Sequence, residues 1–341
     1  MDNAKYYNLD QFDKASKIDA HIHINTADPA FLEQASLDNF ILLSINTDVP
    51  GYPTLQEQQN IIINHRKRYP AGLRHVTTFE TETRNQDQWH ERAIKHLDES
   101  FSQGAVGVKV WKNIGMDIRD EQGDFIKIDN PLFEPIFEYL QQSNITVCGH
   151  IGEPKNCWLP LEEMTVAGDK LYFQEHPEFH MYLHPHFPAY NQLILSRDRL
   201  LERFPDLKFV GAHLGSMEWS VHEVAKRLDK YDNLAVDLAA RICHLQYQSV
   251  SDWQSVYDFF IRYQDRIIYG TDLEFDGSQK PDDFREEAHN TWIADWKYFV
   301  SDGLLSTPGE NYEFNGLRLP KEVIDKIYFR NALKWYPGLV F

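Results

Sequence analysis

The sequence predicts an α/β chain folded as a (β/α)8 TIM barrel with long insertions after strands 5 and 8. Three observations carry this prediction. Short runs rich in Val, Ile and Phe recur along the 341 residues and alternate with amphipathic stretches, the pattern of βα units. Most of these runs are near-continuously apolar rather than alternating, as expected of parallel strands covered on both faces. No GxGxxG follows the first run, so nothing recommends a doubly wound open sheet.

Taken in order, the expected strands are Lys17–Ile24, Asn39–Ile45, Leu73–Phe79, Ala105–Trp111, Ile145–His150, Leu207–His213, Leu234–Ala239 and Arg266–Thr271. Eight is the number a closed parallel barrel needs. Between them, apolar residues at helical spacing mark 55–69, 89–101, 131–142, 198–204, 217–231 and 253–263, with a final helix over 321–335. Two connections exceed the roughly two to six residues of an ordinary βα loop. One runs from Ile151 to about Asn191 and the other from Leu273 to about Leu319; in a barrel both hang over the C-terminal face, where catalytic loops sit. These insertions account for the length beyond a minimal barrel, so residues 1–341 are read as a single domain.

Composition narrows the function. Lys and Arg number 34 against 52 Asp and Glu, a formal charge of −18, which argues against nucleic acid or an anionic membrane surface as partner. Hydrophobic residues at 42% are enough for a large core. The three cysteines, Cys148, Cys157 and Cys243, form no CxxC and cannot pair completely, the mark of a reduced compartment. With no apolar signal segment and no run approaching the roughly 18 residues of a membrane span, a cytoplasmic location is expected.

The chemistry begins in the first strand, Ile18-Asp-Ala-His21-Ile-His23. Residues i and i+2 of a strand share a face, so the two imidazoles converge on one point, an arrangement suited to Zn, Ni, Fe or Mn. An HxH alone says little among 15 histidines, and His184-Pro185-His186 repeats it in a Pro-rich loop. Position adds the weight: His150 ends strand five, His213 ends strand six and Asp272 ends strand eight. Each has a glycine one or two residues before it, which gives space where backbone crowds a site. A lone strand-end histidine is usually a bonded rim residue, and a strand-end aspartate is commonly a helix N-cap. Four histidines and an aspartate at one mouth are costly to bury without a purpose, which favours a metal centre.

This order of HxH on strand one, His on strands five and six, and Asp on strand eight resembles the amidohydrolase superfamily. The segments GAHLGS (211–216), IIYGTDLEF (267–275) and DKIYFRNALKWY (325–336) are similar to its amidohydrolase-related branch of metal-dependent hydrolases, lactonases and non-oxidative decarboxylases. The resemblance implies that His21, His23, His150 and Asp272 ligate one divalent metal, zinc first with Mn, Ni or Fe as alternatives. It further implies that His213 polarises the activated water or the substrate, and that Asp272 is the base that takes the water's proton. A second metal is implied only if Lys109, on the strand-four position where relatives carry a carboxylated lysine, is itself carboxylated; otherwise its ammonium orients substrate or pairs with a carboxylate. The expected reaction is attack of activated water on an ester, lactone or amide carbonyl of a small carboxylated molecule. The alternative is non-oxidative decarboxylation of a small aromatic or enoic acid.

Arg241 at the end of strand seven, whose planar fork suits a carboxylate, is expected either to hold substrate or to form an internal salt bridge, and Glu153 and Trp158 belong to a first insertion that is either a lid over the site or a solvated loop or oligomer contact. Asp237 is placed to orient a ligand histidine, and Trp111 to line the pocket or the core. His176-Pro-Glu-Phe-His180 lacks the Glu of a zincin helix and is not read as a protease motif. The expected partner is a small anionic molecule, with a homodimer compatible with the aromatic loops.

Overall fold

The computed structural model describes residues 5–339. Eight parallel strands follow one another around a barrel: β1 Lys17–Ile24, β2 Phe40–Ile45, β3 Leu73–Thr77, β4 Ala105–Val110, β5 Thr146–Gly149, β6 Phe209–Gly211, β7 Leu234–Asp237 and β8 Ile267–Ile268. The ring closes in two steps. The Ala20 N–H donates to the Tyr269 carbonyl at 3.0 Å, and after a turn the short strand β9, Glu274–Phe275, pairs with the end of β1 with His23 opposite Glu274. The sheet expectations hold strand by strand, with the later strands shorter than their apolar runs.

Two apolar layers surround this sheet. Outside, alternate strand residues such as Leu42, Val108, Phe209 and Ile267 pack against the helices. Inside, Ile18, Leu43, Val76, Val106, Cys148, Val210, Ala235 and Ile268, one or more from each strand, meet Ala332, Trp335, Tyr336 and Leu339 from the chain's end. The predicted final helix is therefore the plug of the barrel floor. Its middle turn, Lys326–Arg330, is a π-helix, and the Ile327 carbonyl in it accepts the Tyr269 N–H at 3.0 Å. That contact meets a donor that β8 does not pair within the sheet.

The first insertion folds as short 3-10 turns around the helix Ala167–Glu175. The second contains a 20-residue helix, Pro281–Val300, that the sequence reading does not separate from the rest of the insertion. Its signals are Pro281 at the first turn, Asp282 and Asp283 beside it, and Phe284, Ala288, Trp292 and Trp296 four residues apart on the buried face. Phe31 packs edge-on to Phe284 at 4.8 Å, and Phe40 stacks on Trp292 at 4.3 Å, seating this helix on the wall beside β1 and β2. Among the described residues no helix is long and apolar enough to cross a membrane.

Candidate metal centre

Two β-bulges turn the barrel from apolar to polar. On β1 the register runs Asp19 with Leu42 and then Ile22 with Ser44, three steps against two. On β4 it runs Ala105 with His75 and then Val108 with Thr77, again three against two. Because side chains alternate with period 2, one extra residue reverses which of them face inward. Below the bulges Ile18, Ala20 and Val106 fill the interior. Above them Ile22, Ile24, Val108 and Val110 pack outward, and His21, His23 and Lys109 line a cleft of about 200 Å³ at the C-terminal mouth.

The imidazoles are held by their Nδ1 atoms. His21 Nδ1 lies 2.8 Å from Asp237 Oδ2, His23 Nδ1 2.8 Å from the Ile45 carbonyl, and His213 Nδ1 2.8 Å from the Ala239 carbonyl. Asp237 thus takes the orienting role expected of it, and its other oxygen accepts the His213 backbone N–H at 2.7 Å. Nδ1 contacts of this kind leave Nε2 free to ligate. His21 Nε2 and His23 Nε2 approach Asp272 Oδ1 at 3.3 and 3.4 Å, and donor atoms of His21, His213 and Asp272 lie within 4.8 Å of one another. The His150 ring packs on His213 at 4.3 Å. Both His150 Nε2 and His213 Nε2 are buried without a hydrogen-bond partner, an expensive state for a polar atom and the clearest fit of this cluster to a cation. Lys109 Nζ stands 3.1 Å from His21 Nε2, so an ion on that nitrogen displaces this hydrogen bond.

Backbone strain marks the same rim. His213, Ala240 and Asp272, at the ends of β6, β7 and β8, have φ of 60°, 54° and 69°, a left-handed conformation disfavoured for residues other than glycine. Hydrogen bonds impose it: Asp272 N–H donates to the His21 carbonyl at 2.7 Å, and Ala240 N–H to Thr271 at 3.1 Å. Asp19, fully buried, accepts from the Thr271 N–H at 3.0 Å, the Thr271 hydroxyl at 2.7 Å and Trp292 Nε1 at 2.9 Å, tying that turn to the wall. Gly270 is required here, since a Cβ on it would meet His21 Cβ at 2.8 Å.

Electrostatics favour neutral imidazoles around an ionised carboxylate. Burial, with Lys109 beside it, lowers the His21 pKa; burial likewise drives His150 well below its ordinary value and His213 to about 3. For Asp272 burial pushes upward, but His213, His21 and His23 outweigh it and hold the carboxyl well below the usual range. Neutral imidazole and ionised carboxylate are the forms that ligate a metal.

The cleft is lined by Thr47, Val49, Tyr52, Trp111 and Glu274 besides His21, His23, Lys109, His150 and Asp272. Trp111 is therefore a pocket residue. No pattern in the sequence singles out Thr47, Val49, Tyr52 or Glu274, although Glu274 lies within IIYGTDLEF and the other three follow strand two by two to seven residues. Glu153, Trp158 and Arg241 stand outside this lining. Glu153 is ion-paired with Lys112, Trp158 Nε1 donates to the Pro188 carbonyl at 3.2 Å, and Arg241 donates to the Ala240 carbonyl at 2.9 Å with its Nε buried and unpartnered. His180 and His184 bond to the Leu159 and Pro177 carbonyls within the insertion.

An eight-stranded barrel with converging imidazoles and a carboxylate at its C-terminal mouth defines a metal-dependent barrel enzyme. The profile described as Amidohydrolase matches residues 84–338, and the chain belongs to that family. The match begins after β3, so His21 and His23 lie before it. No curated protein sequence matches the chain significantly. Among solved structures, the chain is similar to dihydroorotase from Campylobacter jejuni, with 14% identity and a TM-score of 0.55 over 95% of this chain and 83% of that one. It is similar also to a TIM-barrel protein from Bordetella bronchiseptica, with 15% identity and a TM-score of 0.54 over 95% and 99%. A third similar structure is 2,6-dihydroxybenzoate decarboxylase from Rhizobium, with 14% identity and a TM-score of 0.53 over 95% and 99%. At these identities the likeness is one of fold, shared by enzymes of different reactions.

Proposed function

We propose that the protein is a metal-dependent hydrolase that opens an ester, lactone or amide bond of a small carboxylated molecule. The observation that carries the metal centre is the convergence of His21, His213 and Asp272 at the barrel mouth, with the buried Nε2 atoms of His150 and His213 unpartnered; hydrolysis is chosen over decarboxylation on the match to the Amidohydrolase family. We assign His21, His23, His150 and Asp272 as ligands of one divalent ion, zinc before Mn, Ni or Fe, in keeping with an imidazole-rich set. When bound, such an ion supplies Lewis acidity that activates water and polarises a carbonyl.

The chain's own groups do the rest. Asp272, ionised and adjoining the cleft, takes a proton from water and returns it to the leaving group. His213, fixed by Ala239 in the tautomer with a proton on Nδ1, offers Nε2 toward the reacting centre. Lys109, 1% exposed and without a carboxylate partner among the described residues, holds a substrate carboxylate at the base of the cleft. Arg241, Trp158 and Glu153 stand outside the cleft lining and reach substrate only if the segments that carry them move. Residues 1–341 act as one domain, and the three free cysteines support a reduced, cytoplasmic setting.

Metal-loaded protein assayed in 18O-water against lactones, amides and aromatic acids should place the label in a product carboxylate and lose activity with chelator. Carbon dioxide release without solvent-oxygen uptake overturns the hydrolase in favour of the decarboxylase. Activity indifferent to chelation overturns both.

A further inference from the structure

The cleft is ordered in layers from base to mouth. Lys109 and His21, almost fully buried, form the base, His23 and Asp272 the middle, and Tyr52 and Glu274 the rim, with the buried Asn25 behind Glu274. Strand geometry sets this order: His21, His23 and Asn25 are successive i+2 positions along β1 and its continuation, and Glu274 is the register partner of His23 across the β1–β9 pairing. Register partners project on one face, which places Glu274 in the cleft beside the centre.

At the rim the Tyr52 hydroxyl donates to Glu274 Oε2 at 2.5 Å, and Asn25 Nδ2 to Oε1 at 3.2 Å. The Tyr52 ring also stands edge-on to His23 with centroids 5.9 Å apart. One carboxylate is thus fixed in orientation by two neutral donors and has no cationic partner among the described residues. A carboxylate has about four acceptor sites, so two of them remain without a protein donor at this exposed rim of the cleft. The interior therefore runs from an amine at the base to an unneutralised carboxylate at the mouth.

We propose that Glu274, positioned by Tyr52 and Asn25, is a specificity residue that selects molecules carrying a carboxylate at one end and an N–H donor or ammonium at the other, and rejects dicarboxylates. This rests on the assignment of Lys109 as carboxylate holder and deepens it by naming the opposite end of the substrate. A second carboxylate about 4 Å from Glu274 meets like-charge repulsion, and an ammonium meets the reverse, each worth on the order of tenfold in affinity.

Three five-carbon probes differing only at one end test this: 5-aminopentanoate, pentanoate and glutarate, titrated calorimetrically into the metal-loaded protein. The expected order of affinity is amine, then methyl, then carboxylate. Glu274→Gln should compress the spread between amine and carboxylate by on the order of tenfold, with the melting temperature confirming the fold. Tyr52→Phe should widen it, since the carboxylate then loses one donor. No preference among the three in the wild-type protein, or the same spread in Glu274→Gln, overturns the proposal. The order can hold while the 18O assay reports decarboxylation, so failure of the reaction assignment and failure of this one are separable.

Discussion

At its N-terminal end the barrel is filled by Ile18, Val106, Val210 and Ala235 against Trp335 and Tyr336, while at its C-terminal end the same strands surround a cleft of histidines, Asp272 and Lys109. The floor is held by burial, which is non-directional and tolerates any shape that fills the space. The mouth is held by hydrogen bonds that fix single atoms, such as His21 Nδ1 on Asp237 and Asp272 N–H on His21. Stability and chemistry are thus separated along one axis, and substitutions at the two ends should separate in the same way.

The largest expected effect is at the mouth. Asp272→Asn should lower kcat at saturating metal by about 10²- to 10⁴-fold, the usual loss for a proton-transfer group, with a denaturant midpoint that falls less than that of the floor variant below; a matching loss of stability would join the two ends and break the comparison. Next is the floor. Trp335 is 5% exposed, its Nε1 donates to the Asp265 carbonyl at 3.1 Å, and its own carbonyl accepts from the Thr146 hydroxyl. Trp335→Ala should cost about 3–5 kcal/mol in equilibrium unfolding, while kcat per folded molecule stays within about twofold.

A smaller effect is expected one layer behind the mouth. Asp237→Asn leaves the fold but loosens His21, so metal affinity measured by chelator competition should fall about 10- to 100-fold. An unchanged affinity would show that His21 needs no such support.

The smallest concerns a histidine of the wall. His75 on β3 is fully buried, bonded through Nε2 to Gln59 Oε1 at 2.9 Å, and burial lowers its pKa to about 3. The folded state binds fewer protons there than the unfolded chain, whose histidine titrates near 6.5. Its stabilising contribution is therefore complete above pH 6.5 and is lost as pH falls toward 3. Between pH 6.5 and 5.5 the loss is about 1 kcal/mol, and His75→Gln should remove that slope from an unfolding series. Added metal should leave the slope from His75 intact while shielding the mouth histidines, which distinguishes the wall from the mouth.

Much of this was legible from residues in order. The strand runs predicted β1 to its bounds, and the strand-end positions of His21, His23, His150, His213 and Asp272 pointed to the cluster that the barrel mouth brings together, because apolar runs and their ends are local patterns. The helix Pro281–Val300 was legible too, through Pro281, its acidic first turn and four-residue spacing, but it lay inside a stretch taken as insertion. Arg241, Glu153 and Trp158 were harder to place, since a residue near a strand end in sequence can turn its side chain to a backbone carbonyl or an ion pair instead of the cleft.

What the sequence determined by itself is the barrel, its strand order and the residue types at its mouth, since these follow from periodicity and from chain order around a closed sheet. Only the tertiary structure decided which faces those residues take. Simple alternation from Ile18 and Ala20, which point into the floor, would send His21 and His23 outward, and from Val106 it would do the same to Lys109. The bulges on β1 and β4 reverse that parity, and the left-handed turns at His213 and Asp272 aim the remaining groups. A bulge inserts one residue against a neighbouring strand far away in sequence, so its position is set by pairing across the barrel and leaves no period in the strand itself.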